Sequence, residues 1–208
     1  QWTLPAGFSA SPNLSSNPIT LIPPITTTSL VATMTVLGTA GSCTSQAVYQ
    51  VTVYPNPTIA VTSGSMCAGT SVTLTASNAT TYTWSPATAL NATNGPVVIA
   101  NPAVTTVYSV IGSSVGCNSQ TQNSTASVVP NPTVVINPNP ALICLGSSIN
   151  LTASGATNYT WTPATALTST NTANTTANPT VTTTYSVIGS QNTCTNLATI
   201  QVSVIGLP

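Results

Sequence analysis

Cys43, Cys67, Cys117, Cys144 and Cys194 are the side chains in this chain best suited to nucleophilic, redox or metal-ligand chemistry. Cys67 and Cys117 are 50 residues apart, and so are Cys144 and Cys194. A catalytic cysteine needs a basic neighbour to become a thiolate, and a hydrolytic triad needs a base. The chain has no His, Asp, Glu, Lys or Arg. A zinc site would have to be built from thiolates alone, and no Cys-x-x-Cys spacing exists. Disulfide formation is the chemistry that fits these cysteines best.

The missing charges exclude more than acid–base catalysis. An ordinary soluble domain is about 25% charged; this one carries no charged side chain in 208 residues. Without carboxylates there is no calcium or magnesium cage. Without Lys or Arg there is no phosphate clamp and no nucleic-acid binding by charge neutralisation. The composition therefore points away from enzymes, cofactors and metals, and towards structure, adhesion and assembly.

The elements that position the cysteines are expected to be strands. The chain has 42 Thr and 21 Val, both β-branched and stiff at χ1, whereas the strong helix formers Glu, Lys and Arg are absent. Its 17 Pro and 12 Gly punctuate it every few residues. Val72, Leu74 and Ala76 alternate with Thr73 and Thr75, giving one buried and one exposed face. No apolar run is long enough for a membrane-spanning helix.

The strongest pattern is internal repetition. Cys67-Ala68-Gly69-Thr70-Ser71-Val72-Thr73-Leu74-Thr75-Ala76-Ser77 aligns with Cys144-Leu145-Gly146-Ser147-Ser148-Ile149-Asn150-Leu151-Thr152-Ala153-Ser154 at an offset of 77. Tyr82-Thr83-Trp84-Ser85-Pro86-Ala87 aligns with Tyr159-Thr160-Trp161-Thr162-Pro163-Ala164 at the same offset. Tyr108-Ser109-Val110-Ile111-Gly112 maps onto Tyr185-Ser186-Val187-Ile188-Gly189, and Cys117 onto Cys194. Trp2, the segment Leu30 to Gly38 with Met34 in the tyrosine position, Cys43, and Tyr49 to Val53 match the back half of the same unit. The expected organisation is a partial repeat over 1–54, completed upstream or in trans, then whole repeats over 58–129 and 133–208. Pro55-Asn56-Pro57 and Pro130-Asn131-Pro132 join them as short, semi-rigid spacers. Six or seven short strands in each repeat imply an all-β sandwich.

These motifs together resemble the PKD-like or immunoglobulin-like tandem repeats of large secreted cell-surface proteins of Bacteroidota, of the gliding and adhesin type carried by type IX secretion. The resemblance covers essentially the whole chain. It implies tandem immunoglobulin-like β-sandwiches, the first incomplete, in an extracellular protein at the cell surface. Members of that family carry Asp and Lys in their loops, and this chain carries neither.

In a strand meander, the first inter-strand loop and the last hairpin can lie at one end. Two disulfides within repeats are therefore expected, Cys67 with Cys117 and Cys144 with Cys194; buried thiols or a metal site are the alternatives. Cys43 then pairs upstream, pairs with a neighbouring copy that completes the half-repeat by strand addition, or stays free. Strand addition repeated head to tail would give an open homopolymer. Trp84, Trp161, Tyr108 and Tyr185 read as core anchors, the tyrosine hydroxyls tied to backbone; Trp2 reads as a third tryptophan of this kind. Asn-x-Ser/Thr sequons at Asn13, Asn78, Asn91, Asn123, Asn150, Asn158 and Asn174 are candidate glycosylation sites, although Asn, Ser and Thr are abundant enough to produce about as many by composition. Thr26-Thr27-Thr28 and Thr182-Thr183-Thr184 do not repeat at the short period of a flat ice-binding array. The leading expectation is a structural repeat protein, a subunit or segment of a surface filament. The alternative is a stalk or ligand-binding segment of an adhesin that recognises glycans or surfaces.

Overall fold

The computed structural model describes residues 2–11, 20–23 and 26–206. Among them every regular element is a strand. Residues 1–54 hold β1 (Trp2–Thr3), β2 (Ser9–Ser11), β3 (Thr20–Ile22), β4 (Leu30–Ala40) and β5 (Cys43–Val53). The next repeat holds β6 (Ala60–Val61), β7 (Gly64–Cys67), β8 (Val72–Ser77), β9 (Thr81–Ser85), β10 (Val97–Ala100), β11 (Thr106–Ser114), β12 (Cys117–Asn118) and β13 (Gln122–Val129). The last holds β14 (Val135–Asn137), β15 (Ala141–Cys144), β16 (Ile149–Ser154), β17 (Asn158–Thr162), β18 (Asn174–Ala177), β19 (Thr183–Gln191) and β20 (Cys194–Ile205).

The fold is a tandem immunoglobulin-like β-sandwich, most completely displayed in the last repeat. One sheet has the order β14-β16-β18 and the other β15-β20-β19-β17. Period-two alternation sends Leu151 and Ala153 of β16, Tyr159 and Trp161 of β17, Tyr185 and Val187 of β19, and Ile200 and Val202 of β20 into one core. Neighbours on the same strands, such as Thr152, Thr160 and Gln201, face outward. Val, Leu and aromatic rings fill the inside, while the outer faces mix uncharged polar residues with exposed apolar ones such as Leu142, Ile188 and Leu197.

The chain divides into two compact units. The first comprises Gln1–Ser63, Thr73–Ile99 and Val107–Thr125. In it β4 pairs antiparallel with β5 along its whole length and with β1, β6 pairs with β8, and β11 pairs with β9 and β12. The second comprises Gly64–Val72, Ala100–Thr106 and Ala126–Pro208. It holds the last repeat and the parallel pairing of β7 with the end of β13.

The registers repeat as the sequences do. Trp84 stands opposite Val110 and Trp161 opposite Val187. In the first 54 residues Trp2 stands opposite Val36, two residues beyond the buried Met34 that aligns with the tyrosine position. Gly112 and Gly189 sit where a side chain is excluded by packing. A Cβ on Gly112 would strike Ile59 and Ala79, and one on Gly189 would strike Val134 and Ala156.

Candidate functional site

The cysteines fall into two structural kinds. Cys43, Cys117 and Cys194 each open the returning strand of a two-residue hairpin, opposite Ala40, Ser114 and Gln191 respectively. Gly41 and Gly116 adopt positive φ in two of these turns, as do Val115 and Asn192. Cys67 and Cys144 instead end a short strand that runs parallel to the last strand of the repeat. Cys67 is opposite Val129 and Cys144 opposite Ile205.

The structure joins one of each kind. Cys67 and Cys194 form a disulfide with their Cα atoms 5.5 Å apart, across 127 residues of sequence. Cys43, Cys117 and Cys144 are thiols, the first and last exposed. This corrects the expected pairings of Cys67 with Cys117 and Cys144 with Cys194. The reason is strand length. Cys194 begins β20, and Cys144 lies level with Ile205 at its other end. An extended strand rises about 3.3 Å per residue, so Cys144 and Cys194 stand roughly 35 Å apart. A disulfide tolerates a Cα separation of about 7 Å at most. The equal spacing of 50 residues reflects the repeat, not a bond.

The disulfide sits at the Pro130-Asn131-Pro132 spacer, which polar contacts hold on both sides. Asn131 Nδ2 donates to the Ala68 carbonyl at 3.2 Å, and Asn196 Nδ2 donates to the Pro132 carbonyl at 3.0 Å. The Val129 carbonyl accepts from Ala68 N at 2.9 Å and lies 3.9 Å from Cys194 Sγ. Cys194 is buried. One covalent bond and several hydrogen bonds therefore bracket three residues whose prolines already restrict the backbone.

The equivalent place at the preceding spacer is half-built. Cys117 Sγ donates to the Tyr54 carbonyl, 3.6 Å away, just beyond the end of β5. Cys194 holds the corresponding position beside Val129, just at the end of β13. What stands next to Cys194 and not next to Cys117 among the described residues is the parallel strand carrying a second cysteine.

Trp84, Trp161, Tyr108 and Tyr185 are buried. Trp84 Nε1 donates to the Gly95 carbonyl and Trp161 Nε1 to the Thr172 carbonyl, both at 2.9 Å. Tyr108 Oη donates to the Thr88 carbonyl and Tyr185 Oη to the Thr165 carbonyl, both at 3.0 Å. Burial disfavours the phenolate and pushes both tyrosine pKa values up. Trp2 is half-buried. Tyr82 and Tyr159, not singled out as anchors in the sequence, each close a local loop by bonding the backbone of Ala79 and Ala156.

The sequon residues Asn78, Asn91, Asn123, Asn150, Asn158 and Asn174 are exposed, and Asn13 lies outside the described residues. Asn150 and Asn174 border an open polar cleft of about 290 Å³ with Thr152, Thr168, Thr175 and Thr176. Asn150 Oδ1 accepts from Thr176 Oγ1 at 2.8 Å. No aromatic ring lines this cleft. Among the described residues no group of three or more potential metal ligands is found, and no helix is long and apolar enough to cross a membrane.

No family model and no curated protein matches the chain. Among solved structures it is similar to a three-Ig fragment of titin, with 10% identity over 84% of this chain and 75% of that one and a TM-score of 0.46. It is similar to extracellular domains 3–5 of Drosophila OTK, with 7% identity over 99% of this chain and 86% of that one and a TM-score of 0.41. It is also similar to the tandem Ig repeats of Dlar, with 13% identity over 73% of this chain and 99% of that one and a TM-score of 0.29. These likenesses carry no function over to this chain.

Proposed function

We propose that the chain is a structural segment of an extracellular tandem-repeat rod at a cell surface, a part of a filament or stalk whose task is to bear load and hold repeats in line. Its repeats are 1–54, 58–129 and 133–208. The observation that carries this reading is the Cys67–Cys194 disulfide, which ties the end of one repeat to the hairpin of the next across the Pro130-Asn131-Pro132 spacer. A bond inside a repeat would stabilise that repeat alone. A bond across the spacer resists bending and extension of the array. Stable structural disulfides also belong to oxidising compartments, which supports an extracellular setting.

The neutral surface fits the same task. Repeats whose outer faces carry Thr, Ser and Asn approach one another without like-charge repulsion and without desolvating an ion. The customary charged protection of sheet edges is absent, so contacts between copies or neighbouring repeats are favoured. Glycans on the exposed sequon asparagines would keep such a surface soluble.

A second reading, a glycan- or surface-binding adhesin segment, has the polar cleft beside Asn150 and Asn174 in its favour. Electron microscopy and glycan-array binding of the purified chain separate the two. Extended end-to-end rods with no glycan selectivity are expected. Compact, non-associating monomers that bind one class of glycan would overturn the rod reading.

A further inference from the structure

We propose that Cys144 of one copy forms a disulfide with Cys43 of a second copy, so that copies are stapled head to tail as Cys67 and Cys194 staple two repeats within one chain. The proposal rests on the structural-rod reading and names its intermolecular bond.

Cys144 is placed as Cys67 is. Each ends a strand parallel to the last strand of its repeat, and the next residue donates to the end of that strand: Ala68 N to the Val129 carbonyl and Leu145 N to the Ile205 carbonyl, both at 2.9 Å. Thr70 N and Ser147 N close the same turn onto the Cys67 and Cys144 carbonyls, both at 3.0 Å. Cys43 is placed as Cys194 is, opening the returning strand of a two-residue hairpin. The bonded pair combines one cysteine of each kind, with the hairpin cysteine lying in the following repeat. Cys144 and Cys43 are the same two kinds, both exposed thiols.

Cys117 is the remaining hairpin cysteine, but its place is taken. Cys194 sits beside the end of the preceding repeat's last strand, at Val129, and Cys117 already sits beside the equivalent residue of its own chain, Tyr54. The end of β5 therefore occupies the position that an incoming β15–β20 edge would need. Among the described residues no such strand end lies against Cys43 and no hairpin lies against Cys144. They are complementary halves of one joint.

The bond needs a two-electron oxidant of the disulfide class, such as glutathione disulfide. The Cys43 thiolate attacks that disulfide, forms a mixed disulfide and releases one glutathione thiolate. The Cys144 thiolate of the other copy then attacks the protein sulfur, forms the Cys43–Cys144 bond and releases the second thiolate. Two protein thiols are oxidised, one oxidant disulfide is reduced to two thiols, and the two protons pass to the departing thiolates.

The test uses the 208-residue chain incubated with glutathione disulfide and run without reductant, with peptide mapping of the Cys67–Cys194 bond as the check on folding. Wild type should give a ladder of covalent oligomers that reductant collapses to monomer. C43S and C144S should each abolish the ladder, and C117S should retain it. An equal mixture of C43S and C144S should give a covalent dimer and nothing larger, because only one bond remains to be made. Crosslinked peptides joining two Cys43, two Cys144, or Cys117 with either would overturn the proposal. Sedimentation in reductant separates it from the rod reading. Non-covalent end-to-end assembly without a Cys43–Cys144 peptide sinks the staple alone, whereas a monomer with and without oxidant sinks both.

Discussion

Cys67 and Cys194, 127 residues apart in sequence, are bonded across a spacer, while Cys144 and Cys194 of the same repeat lie at opposite ends of β20. This arrangement leaves the last repeat with Cys194 bonded at one end of β20 and Cys144 an exposed thiol at the other.

Breaking the Cys67–Cys194 clamp should destabilise the second unit substantially. Loop-closure entropy for a link this long amounts to about 5 kcal/mol. Cys194→Ser is expected to lower the urea midpoint by a large margin, whereas Cys117→Ser should change stability by less than about 0.5 kcal/mol. Equilibrium unfolding followed by tryptophan fluorescence, without reductant, measures both. Equal effects of the two substitutions would contradict the assignment.

The clamp also predicts a mechanical signature. With the disulfide intact, the residues between Cys67 and Cys194 cannot extend under load. At roughly 3.6 Å per residue, reduction should release about 45 nm of additional contour length. Single-molecule pulling with and without reductant reads this directly, and unchanged length would exclude the bond.

In the core, Tyr185→Phe removes the hydrogen bond to the Thr165 carbonyl and leaves that acceptor unpaired, at a cost of about 1–3 kcal/mol. Trp161→Ala should cost about 3–5 kcal/mol because it also opens a cavity. The order Trp161→Ala above Tyr185→Phe is the outcome to check by chemical denaturation.

Gly189→Ala should be damaging although glycine is usually a poor strand residue. Its new Cβ meets Val134 and Ala156, side chains held in the packed interior. Overpacking of this kind costs about 1–3 kcal/mol. An alanine variant as stable as the parent would show that these side chains move aside easily.

Stability should vary little with salt and stay level through acid and neutral pH, because no carboxylate, imidazole, ammonium or guanidinium side chain is present to titrate or be screened. The change comes at the alkaline end. Tyr108 and Tyr185 have pKa values raised above the ordinary 10.0 by burial, so the fold binds their protons more tightly than the unfolded chain does. Their contribution is complete below that ordinary value and is lost as pH rises through the raised one. Melting temperatures measured from acid to alkaline pH should fall at the alkaline end, and less so in the Tyr108→Phe/Tyr185→Phe double variant when each is compared with its own neutral-pH value.

Much of the fold was legible in the sequence because it rests on local chemistry. Alternation in Val72 to Ser77 and Ile149 to Ser154, the repeated Tyr-x-Trp and the turn glycines each specify strand, facing and register over a few residues. The anchors Trp84, Trp161, Tyr108 and Tyr185 were readable for the same reason. The cysteine map was not. The equal spacing of the two pairs records duplication and says nothing about which pole of the sandwich each sulfur occupies. The signal that could have revealed it is the position of Cys67 and Cys144 just before the Gly turn that ends a parallel edge strand.

By itself, the sequence determined an uncharged, duplicated all-β chain with aromatic-anchored cores, since composition and short-range periodicity govern those properties. Only the tertiary structure decided that the disulfide crosses the spacer. That outcome depends on a parallel strand setting Cys144 level with Ile205 and on β20 being too long for its two ends to meet, and neither distance is written in the spacing of residues along the chain.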